Sequence, residues 1–507
     1  MGKKLMLRCI ALLLVLVTLG MLVVSCGGDD PVDDPKNPGS DNTDPNDPPA
    51  GEVEFKDKVP AMDMGGYTFT ALARTTDWFA DEVTAEDGTG DLILQEIYDR
   101  NDRIQNRFNC IIDHAFIQEN EWTTWQTSVT SGANEYKYSL NHMMETAKES
   151  LNGTMLNLNE LPHLDLYAPW WNQSANSDLN IGGKLYFTSN EFCTSSIYLT
   201  WIMIFNMDMV AEREIEPYKL VDSGDWTIDT LYQIVSESYE DDGDSTVNFN
   251  DTYGLISNNT TVMVNYTFAF DIPVVTLDAK GEAIVEYNLP TSKMPTAVEK
   301  VYNLFYNSSN GGKCYSSDEL NKGVGQAMLH DNAIVAKFST KTALFANTRL
   351  HALEDMRTSD VKYGIIPFPK FDTDQDGYYT HVDGRASLIF VPYTLPESEY
   401  EYVGALMEAL AAETYDDVLP QIQDSALLSR YSEDSDAYRC LEMTLRGRTF
   451  AFAYVFNSAF SKSQPYWAMT RLIQKANGSF VSDWRGKANL AAPEINKVLK
   501  KYATANK

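Results

Sequence analysis

Between Gly65 and Phe116 the spacing of apolar residues changes twice. The stretch GGYTFTALART alternates in the manner of a β-strand, and DLILQEIYDRNDRIQNRF places Ile93, Ile97 and Ile104 at the spacing of one helical face. The stretch CIIDHAF then returns to strand character. A strand, a helix and a strand in this order imply a parallel sheet. The sequence therefore predicts an α/β fold.

The first 25 residues have the layout of a bacterial export signal. A cationic start precedes an apolar run, and this run ends in VVSC, which resembles a lipobox. A lipobox implies cleavage before the cysteine, here Cys26, and lipidation of that residue, including an acyl chain such as palmitate. Two or three acyl chains anchor a protein stably. We therefore expect residues 1–25 to be a lipoprotein signal peptide, with an uncleaved anchor or a plain secretory signal as alternatives.

The segment 26–52 is rich in proline, aspartate, asparagine and glycine. It has too little apolar surface to offset chain entropy, and its prolines favour extended conformations. We expect a disordered tether that holds the rest of the chain off the outer face of the cell membrane. Roughly 455 residues follow it, which is too many for one core and suits two lobes.

The formal net charge of the 507-residue chain is −32 at pH 7. Such an acidic protein repels phosphate backbones, so nucleic acid is not an expected partner. Beyond the leader and Cys26, the cysteines are Cys110, Cys193, Cys314 and Cys440. Their wide spacing is typical of buried single cysteines, although a disulfide between two of them stays open.

Two helices and two strand-like stretches are predicted further along the chain. The helix in GDWTIDTLYQIVSES has Thr227 or Asp225 as its cap, and EYEYVGALMEALAAETY is the clearest helix of the second half. The stretches VGQAMLHDNAIVAKFS and VKYGIIPFPKFD favour strands and turns.

Three separate stretches resemble the extracellular solute-binding proteins of family 1, the sugar-capturing subunits of bacterial ATP-driven importers. The most specific is IFNMDMVAEREIEPYKLVDSGDWTIDTLYQIV, which is similar to the family pattern at Phe205, Asn206, Pro217, Gly224 and Trp226. The stretch VKYGIIPFPKFD resembles the family's strand and turn near the second crossing, and LDLYAPWW resembles an aromatic tract at the first crossing. The helix start TIDT departs from the family's tryptophan-containing form.

This resemblance implies a two-lobed α/β fold of the periplasmic-binding-protein type II kind, with a hinge and an interlobe cleft. We expect lobe 1 to contain residues 53–172 and about 322–382. Lobe 2 would contain about 173–321 and 383–507. The resemblance also implies a sugar or oligosaccharide ligand, the permease subunits of an ABC transporter as partners, and a protein that is not an enzyme. We expect it to be a monomer.

Sugar recognition needs flat apolar faces and planar polar groups, and both kinds of side chain occur near the predicted crossings. Trp78 follows the first strand, where loops face a cleft. Trp170 and Trp171 lie beside polar residues at the first crossing, and we expect at least one of these rings to face the cleft. Packing in the core is the alternative for each tryptophan.

Three more residues are candidates for the ligand site. Asp383 and Arg385 in HVDGRASLIFVPY lie at the expected return crossing, where a carboxylate and a guanidinium can bracket hydroxyl groups. An interlobe salt bridge is the alternative for this pair. Tyr198 lies at the start of the second lobe together with Trp201, which the sequence also allows as a core residue.

The stretch EDDGDSTVNFND has oxygen-bearing side chains at the spacing of a calcium loop. They are Glu240, Asp242, Asp244, Thr246, Asn248 and Asp251. However, Ser245 stands where such a loop requires glycine, and the last acid is Asp rather than a bidentate Glu. The sequence therefore leaves a structural calcium and a solvated acidic turn as the two interpretations.

The sequence contains no HExxH, GxSxG, P-loop or GxGxxG motif, and its histidines never pair at metal spacing. We therefore expect no catalytic residues. We also expect no cofactor, apart from the structural calcium that the loop Glu240–Asp251 leaves open. The leading hypothesis is a lipid-anchored extracellular receptor that delivers carbohydrate to an ABC transporter. A surface-anchored carbohydrate-active enzyme and a ligand-sensing lipoprotein without a transport role are the alternatives.

Overall fold

The predicted strand–helix–strand unit is present and its strands are parallel. Strand β1 (Tyr67–Arg74) pairs in parallel with β2 (Cys110–Ile117), and helix α1 (Leu92–Phe108) connects them. The Asp91 carboxylate accepts hydrogen bonds from the Ile93 and Leu94 amides at the start of α1, and Asn109 ends the helix in the left-handed conformation. The buried face of α1 contains the predicted isoleucines.

The computed structural model describes residues 55–75, 79–117, 122–258, 260–306, 314–316, 330–427 and 435–506. The leader, Cys26, the tether and Trp78 lie outside these residues. Phe55–Lys507 forms one compact unit.

The remaining strands are short, and several are buried on both faces. They are β3 (Tyr138–His142), β4 (Trp201–Asn206), β5 (Tyr253–Ser257), β6 (Val275–Leu277), β7 (Ala283–Val285), β8 (Cys314–Ser316), β9 (Ala343–Arg349), β10 (Tyr363–Ile366), β11 (Thr380–His381), β12 (Ser387–Phe390) and β13 (Arg448–Thr449).

Helices fill the intervals between the strands and most of the last hundred residues. They are α2 (Thr123–Ser131), α3 (Met143–Ser150), α4 (Gln173–Asp178), α5 (Ser195–Tyr198), α6 (Met207–Glu212), α7 (Pro217–Ser223), α8 (Ile228–Ser236), α9 (Val262–Ala269), α10 (Met294–Tyr306), α11 (His330–Phe338), α12 (Leu353–Met356), α13 (Tyr400–Glu413), α14 (Leu419–Leu427), α15 (Ser435–Arg446), α16 (Phe452–Val455), α17 (Ala468–Ile473), α18 (Phe480–Trp484) and α19 (Ala488–Ala503).

Two main sheets organise these elements. The first has the strand order β12-β3-β1-β2, and the second has the order β10-β4-β9-β5-β8. The chain passes from the first sheet to the second between β3 and β4, and β12 returns it to the first. In the second sheet β4 runs antiparallel to both of its neighbours, whereas β9, β5 and β8 are parallel. This architecture agrees with the predicted α/β class.

The strand pairing contradicts the predicted lobe boundaries at three strands. Strands β9 and β10 lie within the segment expected in lobe 1, but both pair with β4 in the second sheet. Strand β12 lies in the segment expected in lobe 2, but it pairs with β3 in the first sheet. These strands are short and buried. Because an apolar run fits any buried position, its sequence does not identify the sheet that it joins.

The predicted local structure holds for most of the stretches singled out above. Helix α8 begins at Thr227, whose side chain accepts a hydrogen bond from the Thr230 amide, and α13 matches the clearest helix predicted in the second half. Within the stretch VGQAMLHDNAIVAKFS, however, residues 330–338 form helix α11 rather than a strand. The prediction was wrong here because a short apolar run does not distinguish a strand from a buried helix.

The core contains two clusters of buried apolar side chains. Cys110, Cys193, Cys314 and Cys440 are buried, and no disulfide joins them within the described part of the chain, which confirms the prediction of single buried cysteines. Among the described residues, no helix combines the length and apolar character needed to cross a bilayer.

Candidate functional site

One segment, Asp383–Ser387, receives side chains from the strand ends of both sheets. Arg74, the last residue of β1, donates to the Arg385 carbonyl at 2.7 Å and to the Ser387 hydroxyl at 2.6 Å. Arg349, the last residue of β9, places a guanidinium nitrogen 3.5 Å from the Asp383 carboxylate. Open α/β sheets bind ligands at the carboxyl ends of their strands. We call this region the strand-end site.

A network of charged side chains forms the second-sheet half of the strand-end site. Asp331 accepts from Arg349 Nε at 2.8 Å and lies 3.0 Å from His351 Nε2. Burial alone would raise the pKa of Asp331, but the hydrogen bonds and positive charges of His351 and Arg349 lower it to about 2. Arg349 and His351 are only partly buried and keep 14% and 21% of their side chains exposed.

Aromatic rings lie directly beneath this network. The Arg349 guanidinium lies 5.4 Å from the centre of the Trp201 ring, and Trp201 in turn stacks with His381. Burial lowers the pKa of His381 to about 3, so the imidazole is neutral at physiological pH. Two polar atoms of the region, Trp201 Nε1 and Asp331 Oδ1, are buried and have no hydrogen-bond partner within the described part of the chain.

The first-sheet half of the site is a chain of hydrogen bonds. The Ser387 hydroxyl accepts from Arg74 and donates to Glu82 at 2.6 Å. The other Glu82 oxygen accepts from the Ser195 amide at 2.9 Å. Burial raises the pKa of Glu82, although the Arg74 charge opposes this effect. Glu82 thus holds α5, β1 and β12 in a fixed relation.

The residues predicted for the ligand site occupy different environments. Asp383 is buried and lies beside Arg349, and Arg385 is exposed. Tyr198 is buried in an apolar cluster with Ile93 and Ile97 of α1, and burial raises its pKa. The structure therefore brings Asp383 and the Arg385 backbone to the strand-end site and places the Tyr198 ring in the core.

Trp170 and Trp171 are buried, with exposed fractions of 7% and 1%. Their indole N–H groups donate to the two carboxylate oxygens of Glu408, at 2.9 and 2.8 Å. Burial raises the pKa of Glu408, and the two indole hydrogen bonds oppose this effect. The structure therefore favours the core role and does not support the expectation of a ring facing a cleft. The sequence could not indicate this because Glu408 lies more than two hundred positions away.

The sequence analysis missed Arg74, Asp331, Arg349 and His351. A usable signal was present for the arginines, because each is the last residue and the only charged one of its strand, YTFTALAR or ALFANTR. A charge at the end of a buried strand marks the edge of a sheet, where ligands bind. Asp331 carried no such signal because helix α11 was predicted as a strand.

The acidic loop Glu240–Asp251 engages most of its predicted calcium ligands in other bonds. Glu240 pairs with Arg213 at 2.7 Å. Asp251 accepts hydrogen bonds from the Tyr239 hydroxyl and from the Asp242 and Asn248 amides. Within the loop, side-chain oxygens of Asp242, Asp244 and Asn248 also accept hydrogen bonds from backbone amides. Five of the six predicted ligands therefore already take part in bonds within the protein.

Three neighbouring carboxylates of this loop do lie close together. Ligand atoms of Asp241, Asp242 and Asp244 fall within 4.8 Å of one another, and all three side chains are exposed. Exposed acidic groups of this kind are common without a metal ion. Calcium binding at this loop therefore stays a prediction.

The strand-end site presents hydrogen-bonding groups rather than a reactive centre. Carboxylate oxygens, guanidinium nitrogens and an imidazole lie next to a buried indole, which is a combination suited to hydroxyl groups and the apolar faces between them. The carboxylates Asp331 and Asp383 both adjoin Arg349. The arrangement can therefore hold a polar, uncharged ligand by several directional hydrogen bonds.

Comparison with known proteins identifies the fold. No family model matches the chain, and no curated protein matches it. Among solved structures, the cyclic alpha-maltosyl-1,6-maltose binding protein from Arthrobacter globiformis is similar at 14% identity and a TM-score of 0.51, covering 86% of this chain and 100% of that one. The GacH receptor of Streptomyces glaucescens, solved unliganded and with acarbose, is similar at 13% identity and a TM-score of 0.50, covering 86% and 99%.

UspC of M. tuberculosis is also similar, at 11% identity and a TM-score of 0.51, covering 86% of this chain and 100% of that one. The shared fold is the two-lobed α/β fold of the periplasmic binding proteins. The comparison thus confirms the fold class that the resemblance implied.

Proposed function

We propose that this protein is a lipid-anchored, extracellular carbohydrate-binding protein that delivers its ligand to the permease of an ABC transporter and catalyses no reaction. Cys26 would carry the lipid, and the tether 26–52 would let the two-lobed body reach a permease in the same membrane. Residues of the strand-end site would hold the ligand.

The observation that carries this proposal is the convergence of both sheets on the segment Asp383–Ser387. Arg74 reaches it from the first sheet and Arg349 from the second. A ligand bound there would contact both lobes, and contact with both lobes is what makes ligand binding and lobe closure interdependent. The fold is shared with proteins described as sugar-binding, which supports the choice of ligand class.

The chemistry of the site favours a neutral, hydroxyl-rich ligand. Asp331 and Asp383 can accept from hydroxyl groups, whereas Arg349 and His351 can donate to them. Asp331 and Asp383 both adjoin Arg349, and Asp331 also lies beside His351, so each carboxylate of this network has a basic neighbour and a strongly charged ligand is not favoured. An oligosaccharide fits this description.

The first experiment measures the melting temperature of the protein with and without each of four saccharides. These are maltotriose, maltotetraose, cellotriose and acarbose. A ligand that binds only the native state raises the melting temperature in proportion to RT ln(1 + [L]/Kd). Calorimetry on Asp383→Asn should then show affinity reduced by roughly tenfold to a hundredfold, the equivalent of losing one charge-assisted hydrogen bond of about 1.5–3 kcal/mol.

Asp222→Asn is the matched control, because Asp222 forms an ion pair with Arg439 on the surface and both partners are exposed. It should bind the saccharide as the parent does. If Asp383→Asn keeps the parent affinity and stability, the strand-end site does not hold the ligand.

Chromatography of the saccharide after incubation separates binding from hydrolysis. Recovery of intact ligand agrees with a binding protein, and shorter saccharides would favour the alternative of a surface-anchored enzyme. Uptake of the same saccharide by cells that lack the protein then distinguishes transport from sensing: unchanged uptake would contradict delivery to a permease.

A further inference from the structure

A pocket of about 760 Å³ lies apart from the strand-end site. Its wall includes Trp171 before α4, Tyr379 before β11, and residues of α14 and α15. None of the described residues that line it belongs to the strand-end site. Its volume falls within the range of small-molecule sites in proteins.

Aromatic rings and a buried amide are among the side chains that line this pocket. Tyr379, Tyr415 and Tyr438 contribute partly exposed rings, and Gln423 is a buried amide. The Tyr438 hydroxyl donates to Gln423 Oε1 at 3.2 Å, which fixes the ring at the pocket wall while 39% of the residue stays exposed. Rings beside planar polar groups suit a ligand that has both C–H faces and hydroxyl groups.

Glu191 contributes a buried acceptor that no described residue satisfies. One of its oxygens accepts from Arg448, and the guanidinium is held by the Leu445 carbonyl at 2.8 Å and the Ser196 hydroxyl at 3.0 Å. The other oxygen, Oε2, is buried without a hydrogen-bond partner among the described residues, although Glu191 is only 6% exposed and lines the pocket. An unpaired buried carboxylate oxygen is costly, and a ligand hydroxyl would satisfy it.

The charges that line the pocket cancel in pairs. Each cation has its own carboxylate, in the pairs Lys56–Asp416, Arg446–Glu442 and Arg448–Glu191. This local balance contrasts with the net charge of −32 for the whole chain. It disfavours both anionic and cationic ligands and leaves a neutral, hydroxyl-rich one.

From this geometry we propose that the pocket is a second saccharide-binding site, separate from the strand-end site. The rings would contact the apolar faces of a sugar, and Glu191 Oε2 would accept a hydrogen bond from one of its hydroxyl groups. Helix α5 lies between the two sites, since Ser195 contacts Glu82 and Ser196 contacts Arg448. The inference goes beyond the proposed transport function and does not require it.

The test uses the full chain and titration calorimetry with maltotriose, maltotetraose and cellotriose. We expect at least one of these probes to bind at two sites per chain. Tyr438→Ala and Glu191→Gln should each weaken one of the two sites by roughly tenfold or more, as loss of a central aromatic or hydrogen-bonding anchor does. The other site should keep its affinity.

Tyr393→Ala is the control, because Tyr393 is 50% exposed and does not line the pocket. It should bind as the parent does, and melting temperatures of all variants establish that each is folded. Tyr438 is partly exposed, so its truncation should leave the fold intact.

The variants at the two sites make the possible results distinct. Binding at a single site that is lost in Asp383→Asn but unchanged in Tyr438→Ala and Glu191→Gln would overturn this inference and leave the proposed function standing. Binding at a single site that is lost in Tyr438→Ala and Glu191→Gln but unchanged in Asp383→Asn would support the second pocket. It would overturn the role given to the strand-end site. Failure of every probe to bind the parent would overturn both.

Discussion

Residues of one type have different roles in this protein, and their hydrogen-bond partners explain the difference. The indole N–H groups of Trp170 and Trp171 both donate hydrogen bonds to Glu408, whereas Trp201 Nε1 has no hydrogen-bond partner among the described residues. A satisfied and buried indole stabilises the fold, whereas a buried indole N–H without a partner carries a desolvation cost. Glu408 is therefore the residue whose replacement tests the core role of the tryptophan pair.

We predict that Glu408→Gln lowers stability by about 1–3 kcal/mol, although the two side chains have the same shape. A carboxylate accepts from both indoles, but an amide has one oxygen and places its own N–H against the second indole N–H. The free energy of unfolding in urea measures the loss. Glu401→Gln on the same helix is the control, because Glu401 is 65% exposed and pairs with His163 at the surface. Equal stability of the two variants would contradict the core role.

A second prediction concerns acid stability. The pKa of Asp331 is lowered to about 2 in the folded protein from its ordinary value of 3.8. A carboxyl group with a lowered pKa contributes stability that is present above its unfolded pKa and lost as pH falls through its folded pKa. We therefore expect the stability difference between the parent and Asp331→Asn to shrink as pH decreases from about 4 to about 2.

Urea unfolding at several pH values in this range measures that difference. Asp436→Asn is the control, because Asp436 is half-exposed and pairs with Arg439 on the surface. A stability difference between the parent and Asp331→Asn that does not change with pH would show that Asp331 has an ordinary pKa.

At the level of elements, the end of the acidic loop is held by hydrogen bonds from a helix that is distant in sequence. Lys337 of α11 is buried, and its ammonium group donates to the carbonyls of Phe249 and Asp251 at 2.6 and 2.7 Å. Burial lowers the pKa of Lys337 to about 8. The end of the loop is thus fixed by a cation that the protein supplies itself.

For the exposed part of this loop we predict that any bound calcium is held by Asp241, Asp242 and Asp244, because Glu240 is engaged by Arg213. Chelation should then lower the melting temperature of calcium-loaded protein, since an ion that binds only the native state stabilises it. Asp244→Ala should abolish this response, and Glu240→Gln should leave it unchanged. Absence of any chelator response would remove calcium from the loop and leave a solvated acidic turn.

At the level of the whole molecule, the proposed attachment to the membrane should be independent of the folding of the body. The lipobox cysteine lies before Phe55, where the compact unit begins, and no helix among the described residues could span a bilayer. A change at Cys26 should therefore alter the location of the protein without altering its fold.

We predict that Cys26→Ala releases the protein from membranes and leaves its melting temperature unchanged, because the lipid is the anchor that we propose. Fractionation in high salt, which removes proteins held only by charge, measures the first effect. Ser40→Ala, in the tether and outside the lipobox, is the control. A Cys26→Ala protein that stays in the membrane fraction would contradict lipid anchoring.

The sequence by itself determined the α/β class, the parallel strand–helix–strand start, most of the local elements and the single buried cysteines. These properties depend on patterns within about twenty neighbouring residues, such as the apolar spacing of α1 and the Thr227 cap of α8. It also singled out Asp383, which the structure places beside Arg349, and the role of Asp383 in ligand binding stays a prediction.

Only the tertiary structure decided which sheet β9, β10 and β12 join, and which polar groups meet. Glu408 satisfies a tryptophan pair more than two hundred residues away, and Arg74 reaches Ser387 across more than three hundred. Hydrogen bonds and ion pairs act over a few ångströms in space, whereas their partners can lie anywhere along the chain. Patterns of neighbouring residues therefore establish the elements, and the packing of distant segments establishes the sites.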